Sequence, residues 1–479
     1  MWWYKRKVHV SWLVALICAG FVAGVALAMA LHVSFVGAAM GLLCVVMAFF
    51  FRYMWVLPFA GVAAVIFGLG YGSAHFAERG AYARWFGKVV QVTGRVKEDP
   101  SKSPSGSYSV QLDSVEVNNQ KQSGFLFVST RSLNGMKRGD VISGAGQMKD
   151  GFGNFPASVS LTKITSIVRH DFGDVGRVVR DWFADSVRTL IPEPQASLGI
   201  GFLTGQKSAL PEELSESLKI AGLTHIVVAS GYNLTILVRM ARKLLLKVSK
   251  YLSILSSSLM ILAFMAVTGL SPSMTRAGLV SGLSLLSWYY GHVFHPFILL
   301  PIAAAITIAL QPSYVWGDLG WQLSFSAFAG VMIVAPLLQA YFFGSKEPGV
   351  FRQILGETIA AHFVTVPIIA LSFGTLSNVA IIANLLVVPL VPLAMLLTFI
   401  CGLGAIFSVP FIEYVAVPTT WLLGYMTNVA TFVSELSWAQ SQVVLPGLAW
   451  AGYAAALAFA CWWMRRKTGY NFQNGEILV

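Results

Sequence analysis

SWLVALICAGFVAGVALAMAL (11–31), SILSSSLMILAFMAVTGL (253–270) and LPGLAWAGYAAALAFACWWM (445–464) constrain this chain more than any other feature, because none of the three carries a charge. Each is close to the roughly 20 apolar residues a helix needs to cross a bilayer core. Only 11% of the 479 residues are charged, against about 25% in an ordinary soluble domain. The chain reads as a polytopic α-helical membrane protein.

The net charge of +12 invites a nucleic-acid reading, yet basic loops orient membrane proteins whatever their function. Lys5, Arg6, Lys7, Arg52, the run Arg239, Arg242, Lys243, Lys247 and Lys250, then Lys346, Arg352, Arg465, Arg466 and Lys467 all flank apolar spans. Spans that begin near positions 10, 33, 54, 223, 251, 274, 294, 317, 354, 377, 412 and 443 place all those clusters on one side. The expectation is about 11–12 spans with both termini cytoplasmic. Segments 194–238 and 377–409 leave room for re-entrant or broken helices. Cys18, Cys44, Cys401 and Cys461 lie apart inside apolar runs, as small buried hydrophobes do, and imply neither disulfide nor metal site. The KRK at the start, the apolar run after it and ALAMA (26–30) resemble a signal peptide, but the apolar core is too long for one, so an uncleaved first span is expected.

Between residues 76 and 170 the pattern changes. KVVQVTGRVKEDP, GSYSVQLDSVEV, GFLFVSTRS, GDVISGAGQMKD and PASVSLTKITSIV are short runs rich in Val, Thr, Ser and aromatics, separated by turn residues. Five strands fit an OB-type barrel, placed outside the cytoplasm by the span count. Such barrels bind single strands or oligosaccharides through aromatic platforms and basic grooves. Lys97, Lys102, Tyr108, Phe125, Phe127, Arg131, Lys137 and Arg138 are the candidates here; filling and solubilising the barrel is the competing role. In 174–194, Arg177, Arg180, Asp181, Asp185 and Arg188 alternate with Val178, Val179, Trp182, Phe183, Val187 and Leu190. That suits a helix lying on the membrane surface, or one packed on the barrel.

In LTGQKSALPEELSESLKIAGLTHIVVASGYNLTIL (203–237), Pro211 with Glu212 and Glu213 predicts a helix start and Gly222 its end. The chain then enters the bilayer carrying His225, Ser230, Gly231, Tyr232 and Asn233. Polar groups at that depth face protein or a water-filled cavity. Two readings stay open: these residues line a hydrophilic path, or Ser230 and Gly231 permit close helix contact while Asn233 bonds a neighbouring helix. Arg276 starts an otherwise uncharged span, and Asp318 and Gln322 stand four residues apart on one helical face. Intramembrane charges suggest function, although Arg276 can snorkel and Asp318 can cap a helix. Asn384, followed by Pro389 and Pro392, predicts a broken helix.

These stretches, in this order, resemble the ComEC family of competence DNA-uptake channels. AGLTHIVVASGYN (221–233) is similar to the family's G-L-x-H, A-x-S-G pattern, with Tyr232 and Asn233 where Leu-His is usual. SPSMTRAGLVSG resembles its Arg-containing span, and GDLGWQLSFSAFAGV its most recognisable signature, with Trp321 in place of a Phe. The likeness is strong over 200–400 and moderate over the barrel. It implies N-terminal transmembrane helices (1–75), an extracytoplasmic OB-like β domain (76–170), amphipathic or interfacial helices (171–222), a competence-type channel domain (223–467) and a cytoplasmic tail (468–479). It also implies passage of single-stranded DNA across the inner membrane; on the path reading, the route is lined by His225, Ser230, Gly231, Asn233, Arg276, Asp318, Gln322 and Asn384.

Many members carry a metallo-β-lactamase-like domain with a His-x-His-x-Asp-His set; none of the eight histidines here is spaced that way, so no nuclease, catalytic residue or cofactor is expected in this chain. HVFH (292–295) lacks nearby carboxylates and makes a poor zinc site. No G-x-x-x-x-G-K-[ST] loop occurs, so energy must come from a partner or a gradient. The family implies an external DNA receptor, a cytosolic DNA translocase and a separate nuclease as partners, in the lipid bilayer. Two further readings remain: a transporter or flippase for another polyanionic or lipid-linked substrate, and an intramembrane hydrolase using Ser230 with His225 as base. On a regular helix those two point about 140° apart, so the hydrolase needs a break between them.

Overall fold

The computed structural model describes residues 9–31, 35–51, 56–102, 106–133, 135–169, 174–206, 209–227, 231–245, 247–269, 271–291, 296–344, 349–443 and 446–470. The chain opens with α1 (Val10–Leu27), α2 (Phe35–Phe51) and α3 (Val56–Glu78). Strands β1 (Val89–Val96), β2 (Ser101–Lys102), β3 (Tyr108–Val117), β4 (Gln120–Lys121), β5 (Leu126–Thr130), β6 (Val141–Asp150) and β7 (Ala157–Val168) follow. Four shorter helices come next: α4 (Val175–Arg188), α5 (Gln195–Thr204), α6 (Glu212–Ile220) and α7 (Thr224–Val227). Then come α8 (Gly231–Leu245), α9 (Lys250–Thr268), α10 (Pro272–Tyr289), α11 (Pro296–Leu310), α12 (Tyr314–Gly317) and α13 (Leu319–Ala329). The remainder is α14 (Ala335–Phe343), α15 (Val350–Phe373), β8 (Thr375–Ser377), α16 (Ala380–Val387), α17 (Val391–Ile406), α18 (Glu413–Ser434), β9 (Gln440–Gln442) and α19 (Gly447–Thr468).

Every one of the twelve expected span positions is met by a helix, and among the described residues seven helical stretches are long and apolar enough to cross a membrane. They are Val10–Leu27, Val56–Trp85, Lys250–Thr268, Leu319–Phe343, Phe351–Phe373, Ala380–Ile406 and Gly447–Thr468. The helices α2, α8, α10, α11 and α18, at the other expected positions, are shorter or more polar. The expected break also forms. Pro389 and Pro392 remove two backbone donors, and α16 passes into α17 through a 3-10 turn at Val388–Leu390. The segment 194–238 is likewise divided, with breaks between α5 and α6 and between α6 and α7.

The molecule divides into two compact units, one of Met1–Arg177 with Tyr290–Trp321, the other of Val178–Tyr289 with Gln322–Val479. In the first, α1 packs along α3 through Leu13, Val56 and Ala60, and the Trp316 indole donates to Ala26 O at 2.7 Å. Its sheet closes on itself in the order β1-β6-β7-β5-β3, with β3 returning to β1, and β5–β7 as the parallel pair. This is the ring order of a five-stranded OB-type barrel. Alternation puts Val90, Val92, Val110, Leu112, Leu126, Val128 and Ile142 inside.

A charged latch joins the barrel to the start of α4. Asp140, 0% exposed, takes two bonds from Arg169, at 3.0 and 2.8 Å, and lies 3.5 Å from Arg177 Nη1. Arg138 grips Asp174 with two bonds of 2.7 and 2.9 Å. Asp174 also accepts from Arg177 N and so caps α4. Burial pushes the Asp140 carboxyl up, but Arg169, the Lys137 amide and Arg177 outweigh it and hold it below the usual carboxylate range. A folded value below the unfolded one stabilises the fold above the unfolded pKa, and that contribution is lost as pH falls through the folded value, so the barrel should weaken only below about pH 4. Asp140→Asn takes the buried carboxylate from Arg169 and Arg177, leaving Asp174 as the remaining acid near Arg177, and should cost about 3–5 kcal/mol, read as a lower thermal midpoint of the purified chain at neutral pH. A midpoint unchanged from wild type would contradict the latch.

The expected amphipathic helix exists as α4, with Asp185 and Arg188 exposed but two of its arginines turned inward. Arg177 and Arg180 are buried, Arg180 against Asp181, while Val178, Val179 and Trp182 point outward. Charge pairing within reach of the chain itself drew the arginines in.

In the second unit, α4 to α7 pack on α16, α17 and α18 through Val187, Leu198, Phe202, Leu218, Ile226, Val391 and Leu423. Helices α8, α9 and α10 share a core of Leu234, Ile261, Phe264, Met274, Ala277 and Leu285. The β8–β9 pair closes one end, reinforced by the Asn378 amide bonding Trp438 O and Ser441 Oγ.

Candidate functional site

Gly231 lies on α8, and its lack of a side chain decides what stands next to it. A Cβ on Gly231 would lie 3.0 Å from Arg276 Nη2 and 3.1 Å from Ala277 Cβ. Gly231 therefore leaves the room the Arg276 guanidinium occupies. Arg276, in the second turn of α10, is 9% exposed. Its Nε donates to Ser324 Oγ, and its guanidinium carbon lies 5.8 Å from the Phe325 ring centre and 5.6 Å from that of Phe328. It makes no ion pair among the described residues. Burial without a carboxylate leaves the ring faces and one hydroxyl as its compensation.

Asn233, at 0% exposure, donates through Nδ2 to Phe202 O and Ile226 O, both at 3.0 Å. It pins α8 to α5 and α7, the interhelical bond named as one alternative above. His225 Nδ1 lies 2.9 Å from Gly222 O, one turn back. Ser230 lies outside the described residues, as do His292 and His295. Asn384 is buried in α16 with no partner for its Oδ1 among the described residues. Gln322 is partly buried on α13.

Asp318 belongs to the first unit, where its Oδ1 accepts from Trp321 N at 2.7 Å and its Oδ2 lies 3.4 Å from Asn154 Nδ2. It caps α13 and touches a barrel loop. Gly317 makes that approach possible, since a Cβ there would fall 2.2 Å from Asn154 N.

On the barrel, two of the candidate contacts are engaged within the protein itself. Arg138 is buried in its pair with Asp174. Lys97 turns its ammonium onto Phe125, 3.5 Å from the ring centre; burial pulls it below the usual lysine range, against the pull of Glu98, Asp318 and Asp113. Lys102, Arg131 and Lys137 are exposed. Register sets Lys102 and Thr130 on either side of Tyr108, which gathers Lys102, Tyr108 and the neighbouring Arg131 at one end of the sheet. Phe127 stands in an outer aromatic group with Phe152 and Phe155, at centre distances of 4.9 and 5.5 Å.

Four side chains had no role assigned from sequence. Ser324, Phe325 and Phe328 lie in the GDLGWQLSFSAFAGV signature, but the pattern gave them no role of their own. Glu357, the one acid between Glu347 and Glu413, sits within the span α15, accepts from Gln353 Nε2 at 2.9 Å, and lies within electrostatic reach of Tyr232 and Arg239. Its isolation in an apolar run was the available signal.

The family model described as "Competence protein" matches residues 202–467, more than half of the chain. The chain belongs to the competence protein family. Gly231, Asn233, Arg276, Ser324, Glu357 and Asn384 all lie within the matched competence stretch. ComE operon protein 3 of Bacillus subtilis (strain 168) is 20% identical over 255 residues, covering 50% of this chain and 31% of that protein. The chain thus spans about a third of the length of this competence relative. No solved structure matches.

Proposed function

We propose that this chain takes part in DNA uptake for natural transformation and conducts one DNA strand across the cytoplasmic membrane. The observation that carries this reading is Arg276: a buried guanidinium without a counter-ion among the described residues, inside the competence-matched stretch and against Gly231. Burying a cation with no carboxylate beside it costs several kcal/mol, roughly. A passing phosphodiester supplies the missing charge, and guanidinium binds phosphate through two parallel bonds.

Both termini are cytoplasmic in this reading. Arg242 and Lys250 stack on Trp288, and Lys467 on Tyr341 and Trp463, as basic and aromatic residues gather at a membrane face. Reporter fusions after Lys250 and Lys467 should signal cytoplasm, and a fusion near Ser105 the outside; a cytoplasmic signal near Ser105 would remove the barrel from the entry side. An external DNA receptor, a cytosolic translocase and a separate nuclease complete the proposed system.

The test is binding by the purified full chain. Single-stranded DNA affinity should fall steeply with salt, and Lys102→Glu with Arg131→Glu should flatten the slope by about 1.4, at roughly 0.7 per contact on a single strand. Arg138→Ala should leave the slope alone and destabilise the barrel. No binding even at low salt would contradict the reading, and tighter binding of another polyanion would favour a transporter of that substrate.

A further inference from the structure

The helix that carries Ser324, Phe325 and Phe328 does not continue as a regular α-helix. At Gly330–Val334 it forms a π-helical turn, in which Ala335 N–H bonds Gly330 O, before α14 resumes. Pro336 explains the turn. It has no N–H to give, and its ring collides with the carbonyl four residues back in a regular helix; an extra residue in the turn relieves both. Gly330 fixes the point about which the turn forms, because a Cβ there would fall 2.8 Å from Ala360 O of α15. Downstream of Gly330 the helix is held to α15 by Val334, Ala335 and Ala360. One turn upstream lie the two phenylalanines that cover Arg276.

We infer that Phe325 and Phe328 are the gate of the path, closed over Arg276, and that the π turn is its hinge. This rests on the reading that Arg276 faces a conducted strand. A π turn holds one residue more than the α-helix around it, so passing that residue along the helix turns the upstream segment by about 100° while the anchored segment stays still. Such a rotation carries both rings and Ser324 away from Arg276 together, which opens an apolar constriction and frees the guanidinium for phosphate. Apolar constrictions of this kind close a pore to ions by excluding water.

Ion flux measured on the full chain in proteoliposomes reads the gate without needing DNA. Phe325→Ala with Phe328→Ala should raise chloride flux by about tenfold or more, whereas Phe325→Leu with Phe328→Leu, which keeps the apolar closure, should leave it low. Pro336→Ala restores the regular helix; it should abolish any flux that single-stranded DNA evokes in the otherwise native chain, yet leave the alanine pair as leaky as before. Low flux from an alanine pair that is inserted and monodisperse would overturn the gate, and an evoked flux unchanged by Pro336→Ala would overturn the hinge. A leaky alanine pair beside a native chain that ignores DNA would uphold the gate and refute DNA as its substrate.

Discussion

Replacing Arg276 by alanine is expected to lower DNA uptake by about a hundredfold while the protein stays in the membrane at near-normal abundance. Two charge-assisted bonds to a phosphate, each of about 1.5 kcal/mol, amount to about 3 kcal/mol, or a factor near one hundred. Abundance is the decisive control. A buried cation without a counter-ion contributes little to folding, so its removal does not destabilise the chain. Arg276→Lys keeps the charge but loses the Nε donor that Ser324 receives and the planar fork, and should recover only part of the uptake. The check is transformation of a deletion strain carrying each variant, with membrane protein quantified in parallel. A fall in abundance equal to the fall in uptake would show that Arg276 holds helices together instead.

Gly231→Leu should be nearly as severe, through the same guanidinium. A Cβ alone comes to 3.0 Å from Arg276 Nη2, the free end of a long side chain that can yield by a few tenths of an ångström, so Gly231→Ala should be mild. A leucine fills the space the guanidinium occupies and drives it off Ser324. Because both substitutions disable one arrangement, the double variant Gly231→Leu with Arg276→Ala should take up DNA no worse than either alone. Multiplying defects would mean that position 231 acts on its own, by forcing α8 from α10.

Much of this was legible in the sequence, and the parts that were not share a cause. Apolar run length and basic flanks located the helices, since those follow from local hydropathy. Alternation and turn residues marked the five barrel strands for the same reason. Pro389 and Pro392 announced the break in 377–409, because proline acts on its own backbone whatever surrounds it. Partners separated in sequence were not legible. Arg138 looked like a surface cation until Asp174 was found against it, and Asn233 kept both its roles open until Phe202 O and Ile226 O closed on its amide. Arg180 alternated as a water-facing residue should, yet packs inward on Asp181. At the candidate site the sequence pointed to Gly231 and Arg276 one at a time. Their contact, and the enclosure by Ser324, Phe325 and Phe328, exists only in three dimensions.

The central claim is that a DNA strand passes Arg276 and its two phenylalanines on the way in. Crosslinking of incoming DNA measures that passage most directly. Transforming DNA carrying 5-iodouracil is irradiated during uptake, the full chain is recovered, and the adducts are mapped to peptides. The account predicts DNA attached to the peptide containing Phe325 and Phe328, with that adduct lost in Arg276→Ala. DNA reaching the cytoplasm with adducts confined to the barrel, and none on α13, would contradict it.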